Sequence, residues 1–334
     1  MHLLTDSNRI RARYADILAH CDGASVYQTP AWLGIWERLG ARLEFVQIDP
    51  ETMLPFVVKG AGLLRRAYSL PFDTYGGPVT AAAGGPVLFE QAIEALGSPS
   101  ARVADFGAAM ASRNGALRPI SSHIVDLSLG YEHAAAAYSD ANRRNIRQAI
   151  EQGVRVVPVS GPAAARDFFR LHARTVQRHD ARALPPAFFE AVMADLVPGG
   201  MASFYVALHE GRVVAGNLVL RYGQRSYDWM WAYDDRYSRL RATNLMIDCA
   251  IRDEAARGSR ELNLGASPND RLGSVRFKQS FGAHPFAYAV YTHTAPLVAA
   301  ARAMRRGAGR VRARLRPPIG SWNLRQKSVS EWAG

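Results

Sequence analysis

Lys278, in the stretch GSVRFKQSFG, is one of three lysines in a chain that has 38 arginines. An ammonium group on a flexible stem is a compact charge that can bind a phosphate or a polarised carbonyl. The preceding Phe277 offers a face for a nucleobase or an apolar wall. We therefore predict a functional role for Lys278. The alternative is a solvated lysine on a helix whose phenylalanines belong to the core.

Three arginines in the stretch NRRNIRQAIEQG form a second candidate site. Arg143 and Arg147 share one helix face at positions i and i+4, and Arg144 lies beside them. Guanidinium groups in this arrangement can hold the phosphates of a diphosphate-bearing acceptor or of RNA. An exposed basic face explains the same pattern, so both interpretations stay open.

The stretch SYDWMWAYDD places a carboxylate among aromatic residues. Alternation along a strand puts Asp228 on one face and an aromatic stripe on the other. Facing away from the stripe, Asp228 could orient or deprotonate an incoming amine, whereas an ion pair with Arg221 would make it structural. The stripe is typical of a core, but we also predict substrate contact for Trp229. Its members are Tyr227, Trp229, Trp231 and Tyr233.

Two further segments contain candidate substrate-binding residues. Arg178 and His179 follow a helix at the entry to a loop, and histidine titrates near neutral pH. Ordinary helix-end cations are the alternative. Tyr75 and Gly76 belong to the turn YGGP, where glycine permits a positive φ or the close approach of a ligand. This turn is a candidate for a substrate groove, or it simply reverses the chain.

The composition is that of a globular protein with ample core, because 48% of the 334 residues are hydrophobic and 21% are charged. Cys21 and Cys249 belong to no CxxC or Cys/His cluster, so neither a disulfide framework nor a metal site is expected. No apolar run approaches the ~18 residues that cross a membrane, and no signal peptide is evident. We expect a cytoplasmic protein that can reach the inner face of the membrane.

Much of the net charge of +12 lies near the C-terminus. Residues 302–316 contain seven arginines and no acid, so without them the charge falls to +5. Apolar residues recur beneath these arginines at helical spacing, from Leu297 onward. A basic amphipathic helix of this kind binds RNA, an anionic membrane or its own domain, and the sequence leaves all three open.

The order of predicted elements indicates two α/β units. The first has two helices, three strands, a helix and a strand. The second opens with one long helix over 131–153 and continues with a strand, two helices, three strands, a helix, a strand, a short helix and a last strand. Glu210 and Gly211 form a tight hairpin turn. Each unit is predicted to be a mixed, mostly antiparallel sheet flanked by helices, in the α/β (α+β) class. The predicted domains are 1–128 and 129–296, followed by a basic tail over 297–334.

Five segments carry a family resemblance: YQTPAWLGIWE, LPFDTYGGP, NRRNIRQAIEQGV, the strand pair over 213–234, and GSVRFKQSFG. Together they span roughly residues 25–292. They resemble the Fem-type (FemABX) peptidyltransferases and their BioF2-like or CelD-like acetyltransferase relatives in the GNAT superfamily. The resemblance implies tandem GNAT-like domains, with donor and acceptor meeting in a cleft built largely by the second domain.

Members of this family transfer an amino acid from aminoacyl-tRNA to an amine of a peptidoglycan precursor, or are expected to acylate an envelope polymer. The resemblance implies that Phe277 and Lys278 lie near the tRNA end and the reacting ester. It also implies an aminoacyl-tRNA or acyl-CoA donor and no tightly bound cofactor.

The segment DDRYSRLRATNLM, residues 234–246, departs from the coenzyme A pattern of the superfamily. That pattern, Q/R-x-x-G-x-G/A, uses glycines so that backbone N–H groups can close on phosphates at a helix N-terminus. This chain has no glycine there, so an intact pyrophosphate cradle is not expected. The departure fits the Fem-type members, which take the donor from tRNA, and it equally fits the BioF2-like relatives, for which the sequence indicates no donor.

The sequence thus predicts an acyltransferase that forms an amide on a cell-envelope precursor by direct attack, because no Ser/His/Asp or Cys/His arrangement is evident. Asp228 would bind or deprotonate the amine, and Lys278 would stabilise developing charge or a donor phosphate. One alternative is an acyl-CoA-dependent N- or O-acetyltransferase of exopolysaccharide. Another is a non-catalytic RNA- or membrane-binding module.

Overall fold

The computed structural model describes residues 1–5, 7–81, 86–113, 117–177, 183–267, 272–300 and Met304. These residues form two compact units, each built from more than one chain segment. The described residues of unit 1 belong to Met1–Gly23, Trp36–Arg118 and Ala289–Ser328, and those of unit 2 to Ala24–Ile35 and Pro119–Tyr288. The domain bounds expected from the sequence stay a prediction.

Unit 1 is a mixed sheet with helices packed against it. The sheet order is β1–β2–β3–β4–β7, with β4 and β7 parallel, and residues 289–294 pair antiparallel with β7. Tyr14 of α1 packs on Phe45, whereas Phe89 and Ile93 of α3 join the buried cluster around Val46. Phe45 and Val46 are consecutive in a strand, so the two helices cover opposite faces. The elements as far as residue 111 are β1 His2–Thr5, α1 Asn8–Ala19, α2 Pro30–Arg38, β2 Arg42–Asp49, β3 Thr52–Lys59, β4 Arg66–Ser69, β5 Val79–Thr80, β6 Val87–Leu88, α3 Phe89–Leu96, β7 Ser100–Asp105 and β8 Met110–Ala111.

Unit 2 is a larger, mostly antiparallel sheet of order β9–β14–β13–β12–β11–β10, in which only β13 and β14 are parallel. The helices α5 and α8 contribute Ile146 and Met246 to its main buried cluster. The β11–β12 turn has positive φ at Glu210 and Gly211, which confirms the predicted hairpin. The remaining elements are β9 Leu117–Asp126, α4 Tyr131–Ala136, α5 Asp140–Glu151, β10 Arg155–Val159, α6 Gly161–Gln177, α7 Pro186–Asp195, β11 Ala202–His209, β12 Arg212–Tyr222, β13 Arg225–Tyr233, α8 Ala242–Ala256, β14 Glu261–Ser267, α9 Leu272–Gln279 and β15 His284–Thr294.

The single long helix predicted over 131–153 is wrong, because α4 and α5 are separate helices. Ser139 lies between them in an extended conformation, and its hydroxyl accepts a hydrogen bond from the Asn142 N–H at 3.2 Å. A serine followed by an acid is a strong helix start, and this N-cap interrupts the helical pattern. The strand β9 was also absent from the predicted elements.

Close packing of α6 against β12 gives the first testable prediction. A Cβ atom added to Gly216 would lie 3.0 Å from the ring of Phe168. We expect Gly216→Ala to lower the free energy of unfolding by about 1–2 kcal/mol, because the ring must shift to admit the methyl group. Urea denaturation would measure this effect. Gly34→Ala in α2 is the matched control: its new methyl meets nothing within 4 Å, so an equal loss there would contradict the packing explanation.

No helix among the described residues is long and apolar enough to cross a membrane. The predicted basic tail lies mostly outside the described residues. Residues 296–300 and Met304 are helical, and Leu297 and Met304, two members of its apolar stripe, are exposed.

Candidate active site

The two parallel strands of unit 2 part after a short pairing. β13 and β14 pair from Arg225 with Glu261 to Tyr227 with Asn263, although both strands continue for several residues. Asp228 is the first residue of β13 beyond the paired stretch. The two strands separate beyond this pairing, which leaves an opening in the sheet beside Asp228.

A β-bulge at Gly265 interrupts the pairing of β14 with β9, on the other side of β14 from the opening. β14 pairs with β9 through Asn263 and then again from Ala266, while the partner strand advances only from Ile124 to Ser122. Gly265 has φ +78°, a conformation that glycine adopts at low cost. The bulge lets the carbonyl groups of Gly265 and Ala266 accept hydrogen bonds from a side chain of α9.

Lys278 supplies that side chain, and it is buried rather than solvated. Its Nζ donates to the carbonyl oxygens of Gly265 at 2.8 Å and Ala266 at 2.9 Å, and only 4% of the residue is exposed. Burial lowers the pKa of Lys278 to about 8, and the nearby charge of Asp228 partly opposes this shift. Two of the three ammonium N–H groups are engaged, which leaves one for a ligand.

Asp228 is buried without a hydrogen-bond partner. The residue is 2% exposed, and neither carboxylate oxygen meets the geometry of a hydrogen bond. Burial raises the pKa of Asp228 to about 7, while the nearby side chains of Trp231 and Asn217 and the charge of Lys278 act in the opposite direction. The alternative that Asp228 pairs with Arg221 is wrong, because the Arg221 Nε donates to the Glu254 carboxylate at 2.9 and 3.1 Å.

Two polar residues that the sequence reasoning missed complete the cluster. Asn217 in β12 is fully buried, and neither its amide nitrogen nor its oxygen has a partner. His123 in β9 is buried, with no partner on Nδ1; burial and the charge of Lys278 lower its pKa. Unpartnered buried polar atoms are costly, so such a cluster calls for a functional explanation. Polar residues inside the apolar runs AGNLVL and SHIVD were the available signal.

The aromatic stripe predicted in β13 is divided between two environments, because a bulge interrupts the strand. Leu218 pairs with Met230, but the next residue of β12 pairs with Asp228, so Trp229 is the extra residue. Trp231 packs against Phe277 with ring centroids 5.4 Å apart, on the side of Asp228. The prediction that all four aromatic residues share one face is therefore wrong.

Trp229 and Phe277 contact different parts of the unit. Trp229 is partly exposed and packs edge-on against Trp32, with centroids 5.1 Å apart, and beside Phe188 at 5.5 Å. Phe277 is partly buried between Trp231 and Phe281. Phe277 thus forms an apolar wall beside Lys278, and Trp229 belongs to an aromatic cluster that faces away from it. Substrate contact by either residue stays a prediction.

The three candidate arginines of α5 are exposed and do not belong to the buried cluster. Arg143 donates from Nη2 to the Ala136 carbonyl at 2.8 Å, while Arg144 and Arg147 lie on the surface. Their helix is tied to the first turn of α8, since the Asn244 Nδ2 donates to the Asn142 Oδ1 at 2.8 Å. The arginines therefore lie on a helix that is joined to the N-terminus of α8.

The glycine-free segment before α8 ends in a residue with a left-handed backbone conformation. It forms the 3₁₀ helix Asp235–Leu240, and Arg241 then adopts φ +56° without a side-chain cap on α8. Uncapped N–H groups and the helix dipole favour an anion there. Arg241 and the exposed Arg239 add positive charge to the same turn. These residues could hold a donor phosphate, although the cradle has no glycine.

The remaining predicted residues lie elsewhere. Tyr75 and Gly76 have contacts within unit 1: Tyr75 packs on Phe106 with centroids 4.2 Å apart, and a Cβ atom on Gly76 would lie 2.3 Å from the Ser69 carbonyl. The close approach predicted for this turn is therefore to the protein's own backbone, and substrate contact there stays a prediction. Arg178 and His179 lie outside the described residues.

A cleft of about 410 Å³ lies beyond the end of β13. The residues around it are Arg174, Gln177, Tyr233, Asp234, Asp235 and Arg236. Across the part of the chain that the structure describes, no group of three or more histidine, cysteine, aspartate or glutamate side chains could hold a metal ion.

Comparisons with known proteins agree with this architecture. Residues 140–279 match the acetyltransferase (GNAT) domain family. FemX superposes with a TM-score of 0.62 at 12% identity, over 86% of this chain and 97% of FemX. L-PGS from Bacillus licheniformis gives 0.55 at 11% identity, over 87% and 92% of the two chains. The C-terminal domain assigned to a lysylphosphatidylglycerol synthetase of Agrobacterium fabrum gives 0.53 at 14%, over 88% and 95%. No curated protein matches the sequence.

The matched range contains α5, β13, α8, β14 and Lys278, so the buried cluster, apart from His123 in β9, belongs to the matched domain. At these identities the solved structures show the fold, which is the mixed and mostly antiparallel α/β architecture expected from the sequence. The predicted resemblance is confirmed: residues 140–279 match a GNAT acetyltransferase domain, and the fold of the chain is similar to that of FemX.

Proposed function

We propose that the chain transfers an acyl or aminoacyl group to an amine, forming an amide. The observation that carries the proposal is the buried pair of Asp228 and Lys278 beside the opening between β13 and β14. Their pKa values, about 7 and about 8, lie near neutral pH because both groups are buried. Acids and bases poised in this range suit proton transfer at physiological pH.

Asp228 takes the role of general base. A carboxylate with no hydrogen-bond partner in the protein can accept a hydrogen bond from the ammonium or amine of an acceptor. Its raised pKa makes it a stronger base than an exposed aspartate. The amine attacks the carbonyl carbon of the donor, and its excess proton passes to Asp228. The ester or thioester bond then breaks, and Asp228 returns this proton to the leaving oxygen or sulfur as the neutral amide forms.

Lys278 takes the role of electrostatic stabiliser. Two backbone carbonyls hold its ammonium group in place, so the remaining N–H is fixed in direction. A preorganised cation in a buried site stabilises the oxyanion that develops as the amine attacks an ester or thioester carbonyl. Phe277 covers the adjacent surface and helps to exclude water.

The donor carries phosphate in both forms that the family uses, aminoacyl-tRNA and acyl-CoA. The uncapped start of α8, Arg241 and the arginines of α5 favour an anionic donor. We infer aminoacyl-tRNA as the donor and an amine of a cell-envelope precursor as the acceptor, since the segment before α8 lacks the glycines of a coenzyme A cradle. We infer further that these reactants are met at the inner face of the membrane.

A donor assay tests this proposal. A mixed pool of radiolabelled aminoacyl-tRNAs and, separately, acetyl-CoA would be incubated with the protein and amine-bearing envelope precursors. We expect discharge of tRNA that needs both the acceptor and Lys278, and RNA binding that weakens steeply with salt. Amide formation from acetyl-CoA alone would identify the coenzyme A alternative. If neither donor is consumed while RNA still binds, the non-catalytic alternative replaces the proposal.

A further inference from the structure

Asn217 in β12 is a fully buried polar residue whose side chain has no hydrogen-bond partner. Both its amide nitrogen and its amide oxygen are unpaired. An unpaired amide in an apolar interior is costly, because folding removes it from water without replacing the lost hydrogen bonds. A ligand that restores these hydrogen bonds would explain why an asparagine occupies this position.

The neighbours of Asn217 on the same face of the sheet do not satisfy its amide. The two residues that flank it on this face of β12 are an alanine and a valine. Tyr205 faces it from β11, but the Tyr205 hydroxyl donates to the Asp253 Oδ2 at 2.9 Å. Trp231 faces it from β13, and the Trp231 Nε1 is itself unpaired. A partner for the amide must therefore come from outside these three strands.

Asn217 lies beside Asp228, at the opening between β13 and β14. Asn217 pairs with Trp231, and the residue two positions further along β12 pairs with Asp228, so the two polar side chains share one face of the sheet. The Asn217 side chain is near enough to oppose the rise in the pKa of Asp228, yet no hydrogen bond between the two meets the required geometry. The amide oxygen and the carboxylate are therefore two neighbouring acceptors that both lack a donor.

Two acceptors side by side suit an attacking group that carries two N–H donors. The lone pair of a neutral amine forms the new bond, so a primary amine keeps two N–H groups, one for Asp228 and one for the Asn217 Oδ1. A secondary amine or a hydroxyl has only one donor, which Asp228 accepts, and the buried amide oxygen then stays unpaired. Sites built around a buried polar group discriminate strongly against substrates that leave this group unpaired.

We propose that Asn217 is a substrate-binding residue that makes the site selective for a primary amine as the acceptor. Its amide oxygen accepts one N–H of the amine, while Asp228 accepts the other. After attack, the excess proton on the nitrogen passes to Asp228, and the N–H that remains in the product amide is the one that Asn217 holds. This inference rests on the proposed acyl transfer and adds the class of the acceptor to it.

Kinetics with two small acceptors test the proposal. The wild type and Asn217→Leu would receive the donor that the protein consumes, together with hexylamine or N-methylhexylamine. We expect the ratio of kcat/KM for hexylamine to kcat/KM for N-methylhexylamine to fall at least about tenfold in the variant, because leucine is similar in size to asparagine but has no acceptor. The steric effect of the N-methyl group is common to both proteins and cancels. An unchanged ratio overturns the proposal and leaves the acyl transfer intact.

Asn142→Leu is the matched control. Asn142 is also buried, but its Oδ1 accepts a hydrogen bond from the Asn244 Nδ2 at 2.8 Å. Its replacement removes a buried asparagine with an existing partner, so the ratio for the two amines should remain that of the wild type. An equal fall in this control would overturn the assignment of selectivity to Asn217.

Urea denaturation gives a readout that needs no acyl transfer. Removal of an unpaired buried amide should raise the urea midpoint of Asn217→Leu above that of the wild type, whereas loss of a structural hydrogen bond would lower it. Hexylamine should raise the midpoint of the wild type by binding to the folded state, and the variant should need at least about tenfold more hexylamine for the same rise.

The two readouts separate this proposal from the proposed function. If the wild type consumes no donor, the proposed function fails and the urea experiment decides the role of Asn217. Stabilisation by hexylamine that depends on Asn217 then supports the amine-binding site. Equal stabilisation of both proteins by hexylamine, or a lowered midpoint of Asn217→Leu, overturns it.

Discussion

Lys278→Met should lower kcat/KM for acyl transfer by at least about a hundredfold, because the variant removes the cation that we propose stabilises the developing oxyanion. The substitution keeps the length and apolar stem of the side chain but has no donor for the carbonyl groups of Gly265 and Ala266. We therefore also expect a loss of about 1–3 kcal/mol in the free energy of unfolding. Steady-state kinetics and urea denaturation measure the two effects separately.

Arg276→Met is the control for this prediction. Arg276 is an exposed cation two residues earlier on the same short helix α9, so both activity and stability should stay close to those of the wild type. The two carbonyl hydrogen bonds give Lys278 a structural role as well. A variant that is destabilised but fully active would refute the catalytic role and leave only the structural one.

Asp228→Asn should also reduce the rate at least about a hundredfold, because an amide cannot take the proton of the attacking amine. Unlike Lys278→Met, this variant should be more stable than the wild type. The pKa of Asp228 is raised from 3.8 to about 7 in the folded chain, so the wild type loses stability as the pH rises from about 4 to about 7. At about 1.4 kcal/mol per unit of pKa, we expect the variant to gain about 2–4 kcal/mol at pH 8.

Urea denaturation at pH 4 and pH 8 checks the sign of this change. The gain should narrow towards pH 4, where the folded wild type is protonated and uncharged at this position. Asp167→Asn, which removes an exposed carboxylate from α6, should change neither rate nor stability appreciably. A variant of Asp228 that is more stable but as active as the wild type would remove the general base from the mechanism.

The two pKa values also predict the pH dependence of wild-type kcat/KM. Activity should rise as Asp228 loses its proton near pH 7 and fall as Lys278 loses its proton near pH 8, giving a narrow bell. Asp228→Asn should lose the rise in activity near pH 7, and Lys278→Met should lose the fall near pH 8. This loss of one limb distinguishes a catalytic role from a purely structural defect, which would lower the whole curve.

Local signals in the sequence were sufficient to predict where several helices begin or end and where one hairpin turns. Pro30 begins α2 at its first turn, and Gly97 ends α3 with a positive φ, as expected for residues of these types. The hairpin at Glu210 and Gly211 follows from the same kind of rule. The sequence at Ser139, a serine followed by an acid, is also typical of a helix N-cap. The alanine-rich segment before it nevertheless led to the prediction of one continuous helix over 131–153.

The candidate site was only partly predictable, because its geometry depends on strands that are distant in sequence. Lys278 and Asp228 stood out by residue type, and the structure brings them within electrostatic range of each other. The bulges at Trp229 and Gly265 change which face of the sheet the neighbouring side chains occupy. Each bulge depends on the pairing register with a neighbouring strand, so the local sequence does not reveal it. His123 and Asn217 come from two such strands, so no local pattern could join them to Lys278.

The strand β15 has a consequence for the order in which the chain can fold during synthesis. Residues 289–294 pair with β7 inside unit 1, whereas the other strands of that sheet precede residue 106. Nearly three hundred residues must therefore be synthesised before β7 can pair with β15. Such a large sequence separation slows folding and leaves an unpaired strand edge open to association meanwhile. Chaperone binding to nascent chains shorter than about 290 residues would be the cellular counterpart of this delay.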